Sequence, residues 1–454
     1  MAATYLTKTS IGAGNRRTWT WSGWIKRSGL GEQRIFNHEQ SSGTSNISVL
    51  KFDSDDKILY ADNAAGSNAI NLNSSNMRFR DVNAWYHIVL RVDTTDATDT
   101  NRARIYVNGQ DIHSELGSFS THTLPTQNYD TFANQSGNKI SIGAWANNTN
   151  QYFDGLMSHV HFADGQSYAP TVFGETDSTT GQWKIKTDGS ITYGTNGFFI
   201  LKDGNSVTDQ SGNSNNFTVA GGTLTKTEDC PSNIFATMNP LGYAASTNWT
   251  ITNGNTSKTS TPTSNAWRSA YGTIGASSGK YYWEFKVNQI ESSDLNNFWV
   301  GIVDAEQMLQ TSNNERFYKQ GRGYGYHAKN GQKGNNDSAS TYGDTWTTND
   351  IVGIAVDLDN SKIYFSKNGT WQNSGVPTSG STGTGAAFTL TSGYTYLPAF
   401  SQYYGNEQFS INMGNGYFGA TAVSSAGTNA SGLGIFEYDV PAGFTALCTK
   451  GLNE

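Results

Sequence analysis

The sequence predicts an all-β chain folded as two jelly-roll β-sandwiches in series, and three observations carry that reading. Apolar residues recur at period two along most of the chain, the composition is rich in turn residues and in aromatic rings, and one strand plan occurs twice. At 454 residues the chain exceeds what one core ordinarily fills and suits two domains of roughly 200 residues each. Apolar residues make up only 35% of it and aromatic residues 13%, so large rings must supply much of the burial. The 50 glycines, with Asn, Ser and Thr throughout, break helices and favour turns, while Tyr, Trp, Phe, Val and Ile suit strands.

The first clear strand is TWTWSGWI, in which Trp19, Trp21, Gly23 and Ile25 share the expected core face and Trp24 points away. In WYHIVLRVD (85–93), Ile88, Leu90 and Val92 alternate, and RIYVNG (104–109) returns with Ile105 and Val107. DIVGIAVD (350–357) repeats the plan with Val352, Ile354 and Val356 and is followed by KIYFSKNG (362–369). Each half therefore carries a hairpin whose return strand reads Ile-Tyr and runs into an Asn-Gly turn. Helical signal is confined to one turn near Ala169 to Gly174 and another near Glu306 to Gln310. Aromatic-rich strands occupy residues 15–160 and 279–418, and the Asn/Ser/Thr-rich stretches between 203 and 278 look like loop and linker. The join is expected near 235, giving domains 1–235 and 236–454, with strands at Gly197 to Leu201 and Asn216 to Val219 kept in the first.

With these segments in place, the first half resembles the laminin-G-like branch of the concanavalin A-like superfamily. The markers are TWTWSGWIKRS (18–28), AWYHIVLRVD (84–93), RIYVNGQ (104–110), ISIGA (140–144) and YFDGLMSHVHF (152–162). The second half resembles a SPRY domain through GKYYWEFKV (279–287), WVGIV (299–303), GYGYH (323–327), DIVGIAVDLDNSKIYFSKNG (350–369) and YLPAFSQYYGNEQFSINMGN (396–415). Both families use one kind of two-sheet sandwich, which accounts for the repeated hairpin. The pairing, the Asn/Ser/Gly-rich style and the ending PAGFTALCTKGLNE resemble virion proteins of tailed, especially marine, bacteriophages. That resemblance implies a fibre, spike or capsid decoration, synthesised in the bacterial host cytoplasm and located in the virion. Its implied partners are other capsid or tail proteins, a host surface glycan or protein, and further copies of the chain in a homo-oligomer. A free carbohydrate-binding lectin of bacterial origin is the alternative.

Charge and composition narrow the partners. Net charge is −7, only 15% of residues are charged, and no basic block could neutralise a phosphate backbone, so nucleic acid is not expected. No stretch reaches the roughly 18 apolar residues of a membrane span, and membrane insertion is not expected. The opening MAATYLTKTS lacks the charged and apolar regions of a secretory signal. Cys230 and Cys448 are too few for a disulfide framework and are read as free thiols.

Catalysis is not expected. The sandwich hosts glycoside hydrolases through a Glu-x-Asp-x-x-Glu strand, but Glu284 and Glu291 are too far apart and lack an acidic partner two residues on. No nucleophile elbow, His-Glu-x-x-His pair or phosphate-cradling loop occurs. His159 and His161 share a strand face and could chelate a metal, but Val160 and Phe162 are the expected inward residues, leaving the histidines outward and hydrated. Asp53, Asp55 and Asp56, or Asp93, Asp96 and Asp99, could ligate calcium, as some laminin-G-like domains do at loop edges. Neither run has the pattern of an EF-hand loop, so solvated carboxylates are expected and no cofactor is assigned.

Ligand binding needs exposed rings flanked by hydrogen-bonding side chains. Two neighbourhoods fit. One is Trp145, Asn147, Asn148 and Tyr152; the other joins Arg322, Tyr324 and Tyr326 to Trp346, Tyr403 and Tyr404, because loops between strands form the SPRY family's usual ligand surface. Against this stands the reading that Tyr324 and Tyr326 fill the sandwich, or that the rings meet a neighbouring subunit.

Overall fold

The computed structural model describes residues 4–9, 12–40, 45–64, 67–74, 76–112, 119–147, 150–204, 206–241, 249–260, 265–290, 297–309 and 315–453. Contacts divide the chain into Met1–Lys226 and Thr227–Glu454. The division precedes residue 235 because Phe235 is buried and bridges to Cys448 in the second unit. Neither Cys230 nor Cys448 is in a disulfide.

The first unit is a two-sheet sandwich. Its eight-stranded sheet runs, edge to edge, Phe119–Thr123, Ser67–Ser74, Ile58–Ala64, Ile47–Phe52, Gln33–Glu39, Lys139–Ile142, Tyr5–Thr9 and Thr218–Ala220. Its six-stranded sheet runs Phe198–Ile200, Gly155–Asp164, Thr18–Arg27, Trp85–Asp93, Ala103–Val107 and Gln110–Asp111. Alternation sends Trp19, Trp21, Ile25, Ile88, Leu90, Val92, Ile105, Val107, Val160 and Phe162 into one core. Gly23 is needed there, because a Cβ would stand 2.7 Å from the Trp21 ring. The late segments close the unit as expected: Phe198–Ile200 pairs with Gly155–Asp164, and Thr218–Ala220 with Tyr5–Thr9.

The second unit repeats the architecture. One sheet is ordered Trp249–Thr252, Ser257–Ser260, Gln408–Asn412, Lys280–Gln289, Ile351–Asp357, Lys362–Lys367 and Thr370–Trp371, with Phe388–Thr389 and Thr445–Ala446 joined at its sides. The other is ordered Arg268–Tyr271, Tyr396–Gln402, Trp299–Asp304, Gly323–His327, Gln332–Asn335 and Ser338–Thr341. The core between them holds Trp283, Phe285, Val300, Ile302, Tyr324, Tyr326, Trp346, Val352, Ile354, Val356, Ile363 and Phe365.

The hairpin echo holds to the level of single hydrogen bonds. Asn108 Oδ1 accepts the His87 amide at 2.8 Å while the Asn108 amide returns to the His87 carbonyl at 2.8 Å. Asn368 and Ile351 make the same exchange at 2.9 and 2.8 Å. Both Asn-Gly pairs take positive φ, 49° and 81° in the first turn and 46° and 80° in the second, the conformation a two-residue hairpin connection favours.

Each unit also carries a third layer outside its sandwich. In the first, residues 166–193 lie over the outer face of the six-stranded sheet, with Phe173 and Trp183 packed on His161 and His87. In the second, Phe436, Val440 and Phe444 cover Tyr282, Ala355 and Tyr364. Among the described residues helix is confined to short turns such as Pro170–Val172 and Ala305–Met308. Among the described residues no helix is long and apolar enough to cross a membrane.

Candidate functional site

In the first unit, residues 143–147 and 150–154 fold back over the outer face of Gln33–Glu39. The buried Glu39 carboxylate accepts the amides of Ala146 and Asn147, each at 3.1 Å, and the Ser141 hydroxyl. The Arg34 guanidinium lies 3.8 Å over the Trp145 ring and donates to Gln151; burial pushes that guanidinium down to about 10. Trp145 also packs on Ile47, Val49 and Ala61, so its indole is half-buried cover, where an open stacking platform was expected. Asn147 is likewise committed: its amide donates to the Gln40 carbonyl at 2.6 Å, and its oxygen accepts from Lys139 at 3.1 Å. Tyr152 stays half-buried beside Tyr5 at 6.0 Å. Asn148 lies outside the described residues.

The second expected neighbourhood does not assemble. Tyr324, Tyr326 and Trp346 are core residues, exposed by 4%, 0% and 1%, because strand alternation turns both tyrosines inward and Trp346 closes on Phe285 at 5.7 Å. Arg322 and the Tyr403–Tyr404 pair sit at opposite ends of the sheet. Trp299–Asp304 pairs with Tyr396–Gln402 so that Asp304 meets Tyr396 and Trp299 meets Ser401, and five steps of strand separate those ends by about 17 Å. Arg322 stands at the Asp304 end, donating to that carboxylate at 2.8 Å and covering Tyr394 at 3.9 Å.

What gathers at the other end is a smaller constellation that the sequence only half showed. Tyr403 stands 5.4 Å from Trp267 and 5.0 Å from Tyr404, and Arg316 lies 5.2 Å over Trp267 while pairing with Asp337 at 2.7 Å. Tyr403, Tyr404, Trp267 and Arg316 are all part-exposed. Their turn is held from beneath. The Glu407 carboxylate takes the amides of Asn297 at 2.8 Å, Tyr404 at 3.0 Å and Tyr403 at 3.3 Å, and Lys258 Nζ donates to the Gly405 and Glu407 carbonyls at 3.3 and 2.5 Å. Burial raises Glu407 to about 7 and depresses Lys258 to about 7, and each partner's charge opposes the other's shift. Trp267, Arg316, Lys258 and Glu407 were not picked out in the sequence. Trp267 alone left a signal there, as a large ring just after a Thr/Ser-rich run.

The remaining candidates resolve into structural roles. Glu284 is fully buried and accepts the amides of Tyr438 at 2.8 Å and Glu437 at 2.9 Å, with Asn412 and the Tyr282 hydroxyl each at 3.2 Å. It anchors the covering layer, and no substrate can reach it. His161 is 7% exposed and stacked 3.9 Å from Phe199, so of the two outward histidines expected to be hydrated His161 is roofed over and His159 is half-buried. Asp56 is tied to Arg27 at 3.1 Å and Arg80 at 2.8 Å. Asp53 and Asp93 accept backbone amides of their own turns. Among the described residues no three His, Cys, Asp or Glu side chains stand together as metal ligands.

Comparison with known proteins agrees with the two sandwiches. Residues 2–172 match the model of the concanavalin A-like lectin/glucanases superfamily, and residues 280–416 match the SPRY domain. The chain carries a concanavalin A-like domain followed by a SPRY domain. Both are lectin-like, binding-type folds. A Drosophila melanogaster homolog of Ran-binding proteins 9/10 is 36% identical over 106 residues, 22% of this chain and 10% of that protein; the chain thus spans about a tenth of this relative's length. Among solved structures, the SPRY domain of human HERC1 is similar at 18% identity and a TM-score of 0.30, covering 38% of this chain and 96% of that one. A heptameric SAP-like pentraxin from Limulus polyphemus is similar at 16% identity and a TM-score of 0.30, covering 50% and 91%.

Proposed function

We propose that the chain is a non-enzymatic binding protein whose SPRY unit presents the end built from Trp267, Arg316, Tyr403 and Tyr404 to a macromolecular partner. One observation carries this reading: the buried Glu407 carboxylate collects three backbone amides and so fixes a turn that holds two part-exposed tyrosines beside a tryptophan and an arginine. Pre-ordered aromatic and arginine side chains are the residue types that anchor interfaces, because they bury large area at low entropic cost. The loops between SPRY strands are also where that family usually takes its ligands.

We infer further that the protein serves in a bacteriophage particle, as fibre, spike or decoration, contacting either a host surface molecule or other virion proteins. The support is the tandem arrangement and the Asn/Ser/Gly-rich style. Mass spectrometry of purified particles tests the placement: the chain co-purifies with them if it is a virion component, and is found only free of particles if it is not. A glycan array separates receptor binding from a purely structural role. Saturable binding that Trp267→Ala and Tyr404→Ala both abolish marks this end as the sugar-binding surface, whereas release of reducing ends from a polysaccharide would overturn the non-enzymatic reading.

A further inference from the structure

The first unit holds a buried group of titratable rings that no binding role uses. His87, on the central strand Trp85–Asp93, faces outward and stacks on Trp24 at 4.9 Å. Its Nδ1 accepts the Trp183 indole N–H at 2.9 Å and its Nε2 lies 2.8 Å from Ser22 Oγ. An indole nitrogen can only donate, so Nδ1 carries the lone pair and Nε2 the proton that goes to Ser22. His161 lies flat on Phe199, with Nδ1 2.9 Å from the Tyr193 hydroxyl. His159, in a strand bulge with φ of 50°, stands 5.8 Å from the same Phe199 and contacts Ser158. Phe173, Trp183 and Tyr193 all belong to residues 166–193, and that segment is bracketed by two glycines in the left-handed region, Gly165 at 80° and Gly194 at 65°.

We propose that residues 166–193 form an acid-released flap, held shut by the uncharged forms of His87 and His161, which touch Trp183, Phe173 and Tyr193, and swung away when these rings take up protons. A proton added to His87 must sit on Nδ1, where it meets the Trp183 N–H head on. Lys202 opposes a charge on His159 and Asp203 favours it, and the three rings oppose one another. Of the other charges on this face, Lys26 is turned to Asn83 and Arg91 to the Asn101 carbonyl, and on the flap Lys184 pairs with Glu175 and Asp177. Among the described residues no carboxylate hydrogen-bonds any of the three. Burial depresses all three rings, His87 to about 3. The closed flap therefore refuses protons that the open one accepts; closure is at full strength above the ordinary histidine value of 6.5 and weakens as pH falls below it. Each ring that stays neutral when closed contributes about tenfold per pH unit.

Hydrogen–deuterium exchange of the full chain, corrected for the intrinsic pH dependence of exchange, tests this between pH 7.5 and 4.5. Peptides covering 173–186 should lose protection below about pH 6, ahead of the core strand at 88–92. His161→Phe, which keeps a stacking ring without a titrating nitrogen, should move that loss to lower pH. His161→Gln, which keeps a hydrogen-bonding group for the Tyr193 hydroxyl without a titrating ring, provides the same test should His161→Phe not fold. Protection over 173–186 that persists to pH 4.5, that disappears together with the core strand, or that fails at an unchanged pH in the variant overturns the proposal.

Discussion

Trp183 lies so close against Gly109 that a Cβ at the glycine would stand 2.6 Å from its indole. The second unit repeats the relationship with Tyr438, whose ring would be 2.7 Å from a Cβ on Gly369. In both cases an aromatic side chain from the covering layer sits on the glycine of the Asn-Gly turn, after the end of the family match at 172 or 416.

The first prediction follows from that contact. Alanine at either glycine meets a positive φ and an aromatic ring together, so Gly109→Ala and Gly369→Ala should each cost about 1–3 kcal/mol. Urea unfolding of the two variants measures it. A change below a few tenths of a kcal/mol would show that the ring does not press on the turn.

Glu284 makes a pH prediction. Burial raises it from 4.5 to about 7 despite four hydrogen-bond donors. The folded unit keeps this proton up to about pH 7, whereas the unfolded chain releases it near 4.5, so the stabilisation is complete below 4.5 and is lost as pH rises through 7. The change is on the order of 3 kcal/mol. Glu284→Gln should flatten that part of the pH profile in urea titrations at pH 5 and 8, while costing about 1–3 kcal/mol for turning an amide toward backbone donors. Parallel profiles for variant and parent would contradict it.

Asp56 stands between Arg27, whose side chain is fully buried, and Arg80. Removing its charge takes away the carboxylate that pairs with buried Arg27, and Asp56→Asn should destabilise the first unit by about 3–5 kcal/mol. Thermal unfolding should show the first unit melting earlier with the second unmoved. Equal shifts in both would be inconsistent with this account.

Glu39 fastens the stretch at 143–147 through the amides of Ala146 and Asn147. Glu39→Gln should raise amide exchange at Ala146 and Asn147 markedly while the strand Lys139–Ile142 stays protected. Unchanged exchange at those two amides would mean that the carboxylate is not the fastening.

Much of the fold was readable in the chain because alternation at period two is a strict geometric signal. Ile88, Leu90, Val92, Val352, Ile354 and Val356 all point where the pattern sent them. The same rule placed Tyr324 and Tyr326 inward, and weighting them as ligand-binding rings set chemistry above register. The end at Tyr403 was only half visible because its scaffold is non-local. Glu407 meets Asn297 across 110 residues and Lys258 meets Glu407 across 149, and no spacing rule connects positions so distant. The covering layers were missed for a related reason. Residues 166–193 and 417–453 have short strands and irregular backbone, and what makes them cohere is the face each rests on.

These layers change where the protein can be divided. A fragment trimmed to residues 280–416 would keep every strand recognisable as SPRY and yet lay bare Tyr282, Ala355 and Tyr364, with the Glu284 carboxylate stripped of two of its donors. Such a piece would be sticky, prone to self-association and easily mistaken for a poorly behaved domain. A clone drawn to the limits of the compact unit 227–454 keeps Phe436, Val440 and Phe444 over Tyr282, Ala355 and Tyr364, and should give the monodisperse material that a clone drawn to the homology boundary would not.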